Sequence, residues 1–222
     1  HALLGYRHEQ TDRATLARMA CEIEIERLGE PVGKQDQYIA ALGGLTAFTF
    51  HADGSVESER LDLDERLRSN VEDNLLLFYT GLRRSASAVL ADEDTAIRSG
   101  SADTSGRSGT ADNLDRTRAI GYETRDALLG GELGAFGDLL TRQWKLKYER
   151  QPNPVTDQID DLIGRGIGAG AAGGKLVGAG GGGFLLFFAD EKDQLRAAMA
   201  DVGLEEVRFG IDYEGTTMLV SR

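Results

Sequence analysis

One cysteine, three prolines and one tryptophan stand among the 222 residues of this chain. The lone Cys21 cannot form an internal disulfide, so a reducing, cytoplasmic setting is the expectation. No apolar run approaches the ~20 residues of a membrane span, and the first residues do not form a secretory signal, so no membrane partner is expected. Basic residues are in deficit: 25 Lys and Arg face 37 Asp and Glu, a formal net charge of −12. A nucleic-acid binder needs a basic footprint, and this chain carries the opposite field. Any anionic ligand must therefore be held by local donors. Hydrophobic residues at 41% and charged residues at 28% describe an ordinary globular protein. The length suits one domain or two small ones, and a chain of this size hides roughly 70% of its unfolded surface.

Glycine is in excess, with 29 residues, and the excess is local. Between Gly164 and Gly183 eleven of twenty residues are glycine. Backbone there must do something that a side chain would obstruct.

Along the chain, His1 to Tyr6 reads as the last turns of an amphipathic helix without its first half. The chain is thus expected to be a fragment. Thr11 or Asp12 caps a helix to about Leu28, with Leu16, Met19, Ala20 and Ile23 on its apolar face and Gly29 closing it. Pro31 to Tyr38 is a turn feeding a short helix that stops at Gly43-Gly44. A hairpin follows, 45–50 and 56–61, joined across Asp53-Gly54. Leu75 to Tyr79 predicts a buried strand and 82–90 a helix, while 99–112 has loop composition. Helices are expected over 114–129, 133–148 and from Thr156, then strands 175–177 and 184–188 around the glycines. A helix capped by Asp190 and strands over 205–211 and 216–220 complete the order. Hairpins mixed with helices, without regular βαβ alternation, predict an α+β fold, with a boundary near residue 70 separating 1–70 from 71–222.

Few residues are placed to carry chemistry. Asp36 opens a helix, where unpaired N–H groups and the helix dipole favour a charged carboxylate, and Lys34 adds to that bias. Such a carboxylate suits a general base for a hydroxyl, although helix-start acids more often serve stability alone. Glu24 falls on the shoulder of the preceding helix, where it would help hold Mg²⁺ through oxygen; the bland alternative is a solvated acidic face. The run Gly178-Ala179-Gly180-Gly181-Gly182-Gly183 matches G-x-G-x-x-G literally, but a strand follows where a dinucleotide fold needs a helix. No Walker sequence is present. What remains is a strand–loop–strand whose bare backbone can approach a phosphate. Arg83 and Arg84 are candidates to grip a phosphate, and Lys145 and Lys147 read first as an exposed helix face. His8 and His51 lack metal-ligand spacing, and Cys21 reads as core.

The stretch from Glu24 through Asp36 into Gln37-Tyr38 resembles the GHMP small-molecule kinases, whose sugar-kinase branch places a Glu twelve residues before an Asp-Gln pair. Lys175 to Phe184 looks like that family's third, glycine-rich motif. The Gly-Lys-Gln-Asp-Gln wording, Leu75 to Gly81 and Phe136 to Lys147 are closest to the heptose 7-phosphate kinase branch. The resemblance implies a ribosomal-S5-like N-terminal part, here truncated, and a ferredoxin-like C-terminal domain. It implies ATP and Mg²⁺ as cofactors, Asp36 as catalytic base with Lys34 beside it, Glu24 as the metal ligand, and residues 178–183 shaping the phosphate site. Gln37, Tyr38, Arg83 and Arg84 fall on the substrate side. The reaction implied moves the ATP γ-phosphoryl group to the anomeric hydroxyl of D-glycero-D-manno-heptose 7-phosphate, giving the 1,7-bisphosphate. The implied partners are therefore a sugar phosphate and ATP, and a homodimer is compatible with the family.

This sequence also departs from the family. The first motif and the second, Pro-x-x-x-Gly-Leu-Gly-Ser-Ser, are not in it, and Pro154 stands where the family more often has Ser. The 222 residues alone are thus expected to be inactive. Fucose or galactose as acceptor, or a non-catalytic degenerate homologue, are the alternatives to a heptose phosphate kinase.

Overall fold

The computed structural model describes residues 2–7, 9–83, 109–178 and 182–218. The chain forms two compact units, one of residues 1–62 with 210–222 and one of residues 63–209.

In the first unit, α1 (Ala2–Tyr6) buries no residue. Asp12 caps α2 (Arg13–Cys21), accepting from the Thr15 amide and hydroxyl; the backbone bond holds its carboxyl below the usual range. The expected α-helix to Leu28 stops early, because Glu22–Arg27 is a π-helical turn closed by the Leu28 amide on the Ile23 carbonyl. The apolar face also differs from the periodicity. Ala17 and Cys21 are the buried residues, packed with Tyr38 and Ala41, whereas Met19 and Ile23 are exposed. Small side chains at 17, 21 and 41 let α2 lie close on α3 (Gln35–Leu42), and the larger residues fall off that seam. Cys21 is core, and burial raises its thiol pKa.

Strands β1 (Thr46–Phe50) and β2 (Val56–Arg60) form the expected antiparallel hairpin, with Asp53 bracing the tip through the Ser55 amide and hydroxyl. Residues 210–218 return to the end of α3: the Gly44 amide donates to the Asp212 carbonyl and the Thr216 hydroxyl to the Ala40 carbonyl. The strand expected over 216–220 is not formed at 216–218, and 219–220 lie outside the described residues.

The second unit runs α4 (Glu65–Asn74), β3 (Leu75–Arg83), α5 (Thr110–Gly130), α6 (Leu133–Arg150), α7 (Pro154–Gly168), β4 (Gly173–Val177), β5 (Gly182–Phe188), α8 (Lys192–Ala200) and β6 (Glu205–Glu206). Its sheet has the order β4-β5-β3-β6 with every pairing antiparallel. From β3 onward this is the β-α-β-β-α-β order of the ferredoxin-like α+β motif. Trp144, Ile159, Ile163, Leu185, Phe187, Leu195 and Met199 form its core, filling the space between the sheet and α6, α7 and α8. Buried Asn113 ties α5 to α6, donating to the Leu146 carbonyl and accepting from Arg150.

Three boundaries differ from expectation. Leu82 and Arg83 continue β3 instead of starting a helix, and the rest of that helix, with the stretch 99–108, lies outside the described residues. Asp190 is not the cap of α8: Glu191 holds that position, and Asp190 accepts from the Asn74 amide. The strand expected over 205–211 shrinks to Glu205–Glu206, as the chain leaves β3 after residue 207. Asn153 caps α7 in a capping box with Thr156, and Pro154 occupies the first turn, where its missing N–H costs nothing.

Candidate functional site

In the first unit the acidic motif folds back on itself. The π turn carries Glu24, and the Gln37 side-chain amide of α3 donates to the Glu24 carboxylate. The two ends of the twelve-residue spacing therefore meet through their side chains. The Gln37 amide oxygen is buried without a donor among the described residues. Glu22, two residues earlier, is engaged by Arg27 at 2.6 Å. That i,i+5 pair would not face itself on an α-helix, where neighbours are three and four apart. The wider turn thus separates the acids: one takes a cation, and the other is left to Gln37.

Asp36 lies in the first turn of α3 and is exposed, and none of the described residues supplies it with a hydrogen-bond partner. Lys34, at the cap position, does not reach back to it; its ammonium donates to the Gly54 carbonyl at the hairpin tip, 2.5 Å away. Tyr38 points into the core, edge-on to Phe48, so its ring serves packing. Beside these residues lies a cleft of about 510 Å³ lined by Ile25, Val32, Lys34, Phe50 and His51, with backbone of Gly33 and Gly54. His51, which sequence reading left isolated, lines that cleft and pairs with Glu57 at 3.3 Å.

The donor set suits Mg²⁺ in the manner usual for phosphoryl transfer. That ion keeps several waters and takes one or two carboxylates plus substrate phosphates, and Glu24 supplies one exposed carboxylate. Among the described residues no group of three His, Cys, Asp or Glu gathers to cage an ion.

In the second unit the glycine-rich segment is the turn of the β4–β5 hairpin. Ala179, Gly180 and Gly181 lie outside the described residues. Gly178 and Gly183, at its two ends, are each held by a side chain from elsewhere. Lys147 of α6 donates to the Gly178 carbonyl at 2.5 Å. The Thr80 hydroxyl donates to the Gly183 carbonyl at 2.9 Å and accepts its amide at 3.2 Å. Thr80 begins an irregularity in β3, where three residues, 80–82, oppose one on β5 before Arg83 pairs with Gly182. Gly182 has φ +108°, and a Cβ there would stand 2.3 Å from the Leu82 carbonyl oxygen, so the close approach of the two backbones demands glycine. Arg83 is placed at this edge by its backbone, and Arg84 lies outside the described residues.

Sequence reading missed Thr80, Lys147 and Lys175. Lys145 behaves as an exposed helix cation, paired with Asp160, which also accepts from the Trp144 indole. Lys147, half-buried against the hairpin, does not. Lys175 donates to the Gln143 amide oxygen at 2.7 Å, and burial, aided by the charge of Lys147, lowers its pKa to about 8. The pattern itself held a signal: a lysine on a strand otherwise built of Gly, Leu and Val. Among the described residues no helix is long and apolar enough to cross a membrane.

Comparison with known proteins agrees with this geometry. Residues 124–204 match the family model for the C-terminal region of GHMP kinases. A D-glycero-alpha-D-manno-heptose 7-phosphate kinase of Campylobacter jejuni is 29% identical over 178 residues, covering 79% of this chain and 49% of that protein. A galactokinase of Thermococcus kodakarensis is 28% identical over 204 residues, 82% of this chain and 56% of its own. The crystal structure of a D-glycero-D-manno-heptose 1-phosphate kinase from Bacteroides thetaiotaomicron shares the fold with a TM-score of 0.67 at 24% identity, covering 95% of this chain and 56% of that one. The chain spans about half the length of the curated relatives it matches. Residues 124–204 are thus a GHMP kinase C-terminal domain, carried in an α+β chain with the fold of a sugar phosphate kinase.

Proposed function

We propose that this chain, with its GHMP kinase C-terminal domain, is the part of an ATP-dependent sugar kinase that carries the catalytic carboxylate, and that its acceptor is D-glycero-D-manno-heptose 7-phosphate, phosphorylated at the anomeric hydroxyl. The observation that carries this reading is the Gln37–Glu24 contact. It makes a single side-chain unit of a Glu and an Asp-Gln pair that are twelve residues apart. The likeness to a heptose 7-phosphate kinase supports the choice of acceptor.

In this reading Asp36 accepts the proton of the anomeric hydroxyl as the oxygen attacks the terminal phosphorus. Its place in the first turn of α3 keeps the carboxylate charged and ready to accept. Lys34, fixed on the Gly54 carbonyl, holds the hairpin tip beside the start of that helix. Glu24 would hold Mg²⁺, which supplies neutralising charge to the nucleotide phosphates. The unmet Gln37 oxygen suits a sugar hydroxyl as donor. Phosphoryl transfer rests mainly on such positioning and charge neutralisation. The 178–183 hairpin would take part on the phosphate side.

A galactose- or fucose-type acceptor is the second reading, favoured by the galactokinase of nearly equal identity. The test is turnover of the full-length protein with heptose 7-phosphate, galactose and fucose side by side. Asp36→Asn should lower the rate with the preferred sugar at least ~10²-fold, the low end for a positioned base. Unchanged turnover rejects the assignment of Asp36. Preference for an unphosphorylated sugar rejects the heptose phosphate.

A further inference from the structure

Two lysines border the glycine-rich hairpin of the second unit, and their immediate surroundings are neutral. Lys175 stands on β4, largely buried, and among the described residues no carboxylate pairs with it. Its bond to the Gln143 oxygen uses one of the three donors of an ammonium. Lys147, one turn along α6 from Gln143, spans to the carbonyl of Gly178. The other charged groups nearby are committed. On α6 and α7, Lys145 and Asp160 hold each other, and Asp157 takes the Tyr148 hydroxyl. Strand β5 offers no ionisable side chain between Gly182 and Phe188. The corner thus contains two cations that repel each other, an amide oxygen and a backbone carbonyl.

We propose that Lys175 and Lys147 together bind a phosphoryl group where the glycine-rich hairpin begins. A phosphoryl group fits for three reasons. It carries enough charge to offset both ammoniums, and its several oxygens can bridge two donors that already lie near each other. Gly178 has φ +99° and nothing within 4 Å of where a Cβ would stand, so the backbone leaves that side open. The depressed pKa of Lys175 agrees with an unmet need for negative charge, since an anion between the lysines would restore the proton. The phosphoryl group belongs either to the nucleotide or to a sugar phosphate; which of them is bound rests on the kinase reading above, while the anion site does not.

The experiment is calorimetry of the 222-residue chain at pH 8 in two buffers of different ionisation enthalpy. The probes are pyrophosphate, metal-free ATP and a sugar 7-phosphate. At least one probe should bind with net proton uptake. Lys175→Met should abolish the uptake and weaken binding about tenfold or more, the loss of one charge-assisted bond. Lys147→Gln should weaken binding similarly, and it guards against misfolding of the buried variant. ATP binding alone points to the nucleotide, and sugar phosphate binding alone to the acceptor; either supports the site. Failure of every probe to bind, binding without proton uptake, or wild-type affinity in both variants overturns it. A rate loss in Asp36→Asn alongside such a failure leaves the kinase reading standing. Phosphate binding with unchanged Asp36→Asn turnover leaves only this site standing.

Discussion

Replacing Thr80 by valine keeps the shape of the side chain and removes one oxygen. That oxygen donates to the Gly183 carbonyl and accepts the amides of Gly183 and Leu82, at 2.9, 3.2 and 3.2 Å. The substitution therefore strands one acceptor and two donors in a partly buried place, between β3 and the end of the glycine-rich turn. An unmade bond to a buried group costs about 1–3 kcal/mol, and taking the low end for three half-buried groups gives about 3 kcal/mol. If the hairpin opens as a unit, that loss speeds amide exchange at Gly183 and Leu82 by roughly a hundredfold. Hydrogen exchange followed by NMR reads this directly, and Thr80→Ser, which restores the hydroxyl, should return both amides to near wild-type protection. Unchanged exchange in Thr80→Val would refute the idea that this hydroxyl, and not the strand ladder, fixes the end of the loop.

Two further outcomes follow from the same geometry. Lys175 has a folded pKa of about 8 against an ordinary 10.5, so the unfolded chain binds more protons between those values. Stability measured by urea denaturation should therefore rise with pH from about 8 to 10.5 through this group, and Lys175→Met should flatten that rise. Gly43 ends α3 at φ +71°, and a Cβ there would lie 2.4 Å from the Gly215 nitrogen. Gly43→Ala should cost about 1–3 kcal/mol through the backbone conformation alone and release residues 212–216 from α3, read as lost protection of the Gly44 and Thr216 amides.

Much of the second unit was legible because its signals are long and redundant. Ile159 and Ile163 repeat at helical spacing, and the Phe184–Phe188 run reads as a buried strand; both lie in the core. Boundaries failed where tertiary contacts decide. Nothing local distinguishes a helix start at Leu82 from a strand continuing past a three-residue irregularity, since the pairing of Arg83 with Gly182 is set from a hundred residues away. Glu191 rather than Asp190 begins α8 for a similar reason: Asn74, distant in sequence, claims the aspartate. In the first unit the 3.6-residue period selected Met19 and Ile23 for the buried face, but side-chain size overruled it and the seam runs through Ala17 and Cys21. For the candidate site, residue type and spacing named Glu24, Asp36 and Gln37, but not the Gln37–Glu24 bond, which depends on a change of helix type.

Both irregular segments of the chain coincide with motif residues, and each does work that a regular element would not. An α-helix through Glu22–Arg27 would leave Glu22 out of reach of Arg27 five residues on. The π turn draws those two together and leaves Glu24 to Gln37. A regular β3–β5 ladder would place Thr80 opposite a residue of β5 as one more pair; the irregularity at 80–82 instead lets its hydroxyl grip both backbone groups of Gly183. Extra-wide helical turns and interrupted ladders weaken the elements that contain them, and they recur where a side chain has to be re-aimed. Here each one re-aims a polar group: a carboxylate toward an amide in the first unit, and a hydroxyl toward a glycine in the second. Local departures from regularity, more than the elements themselves, therefore mark the residues assigned to chemistry in this chain.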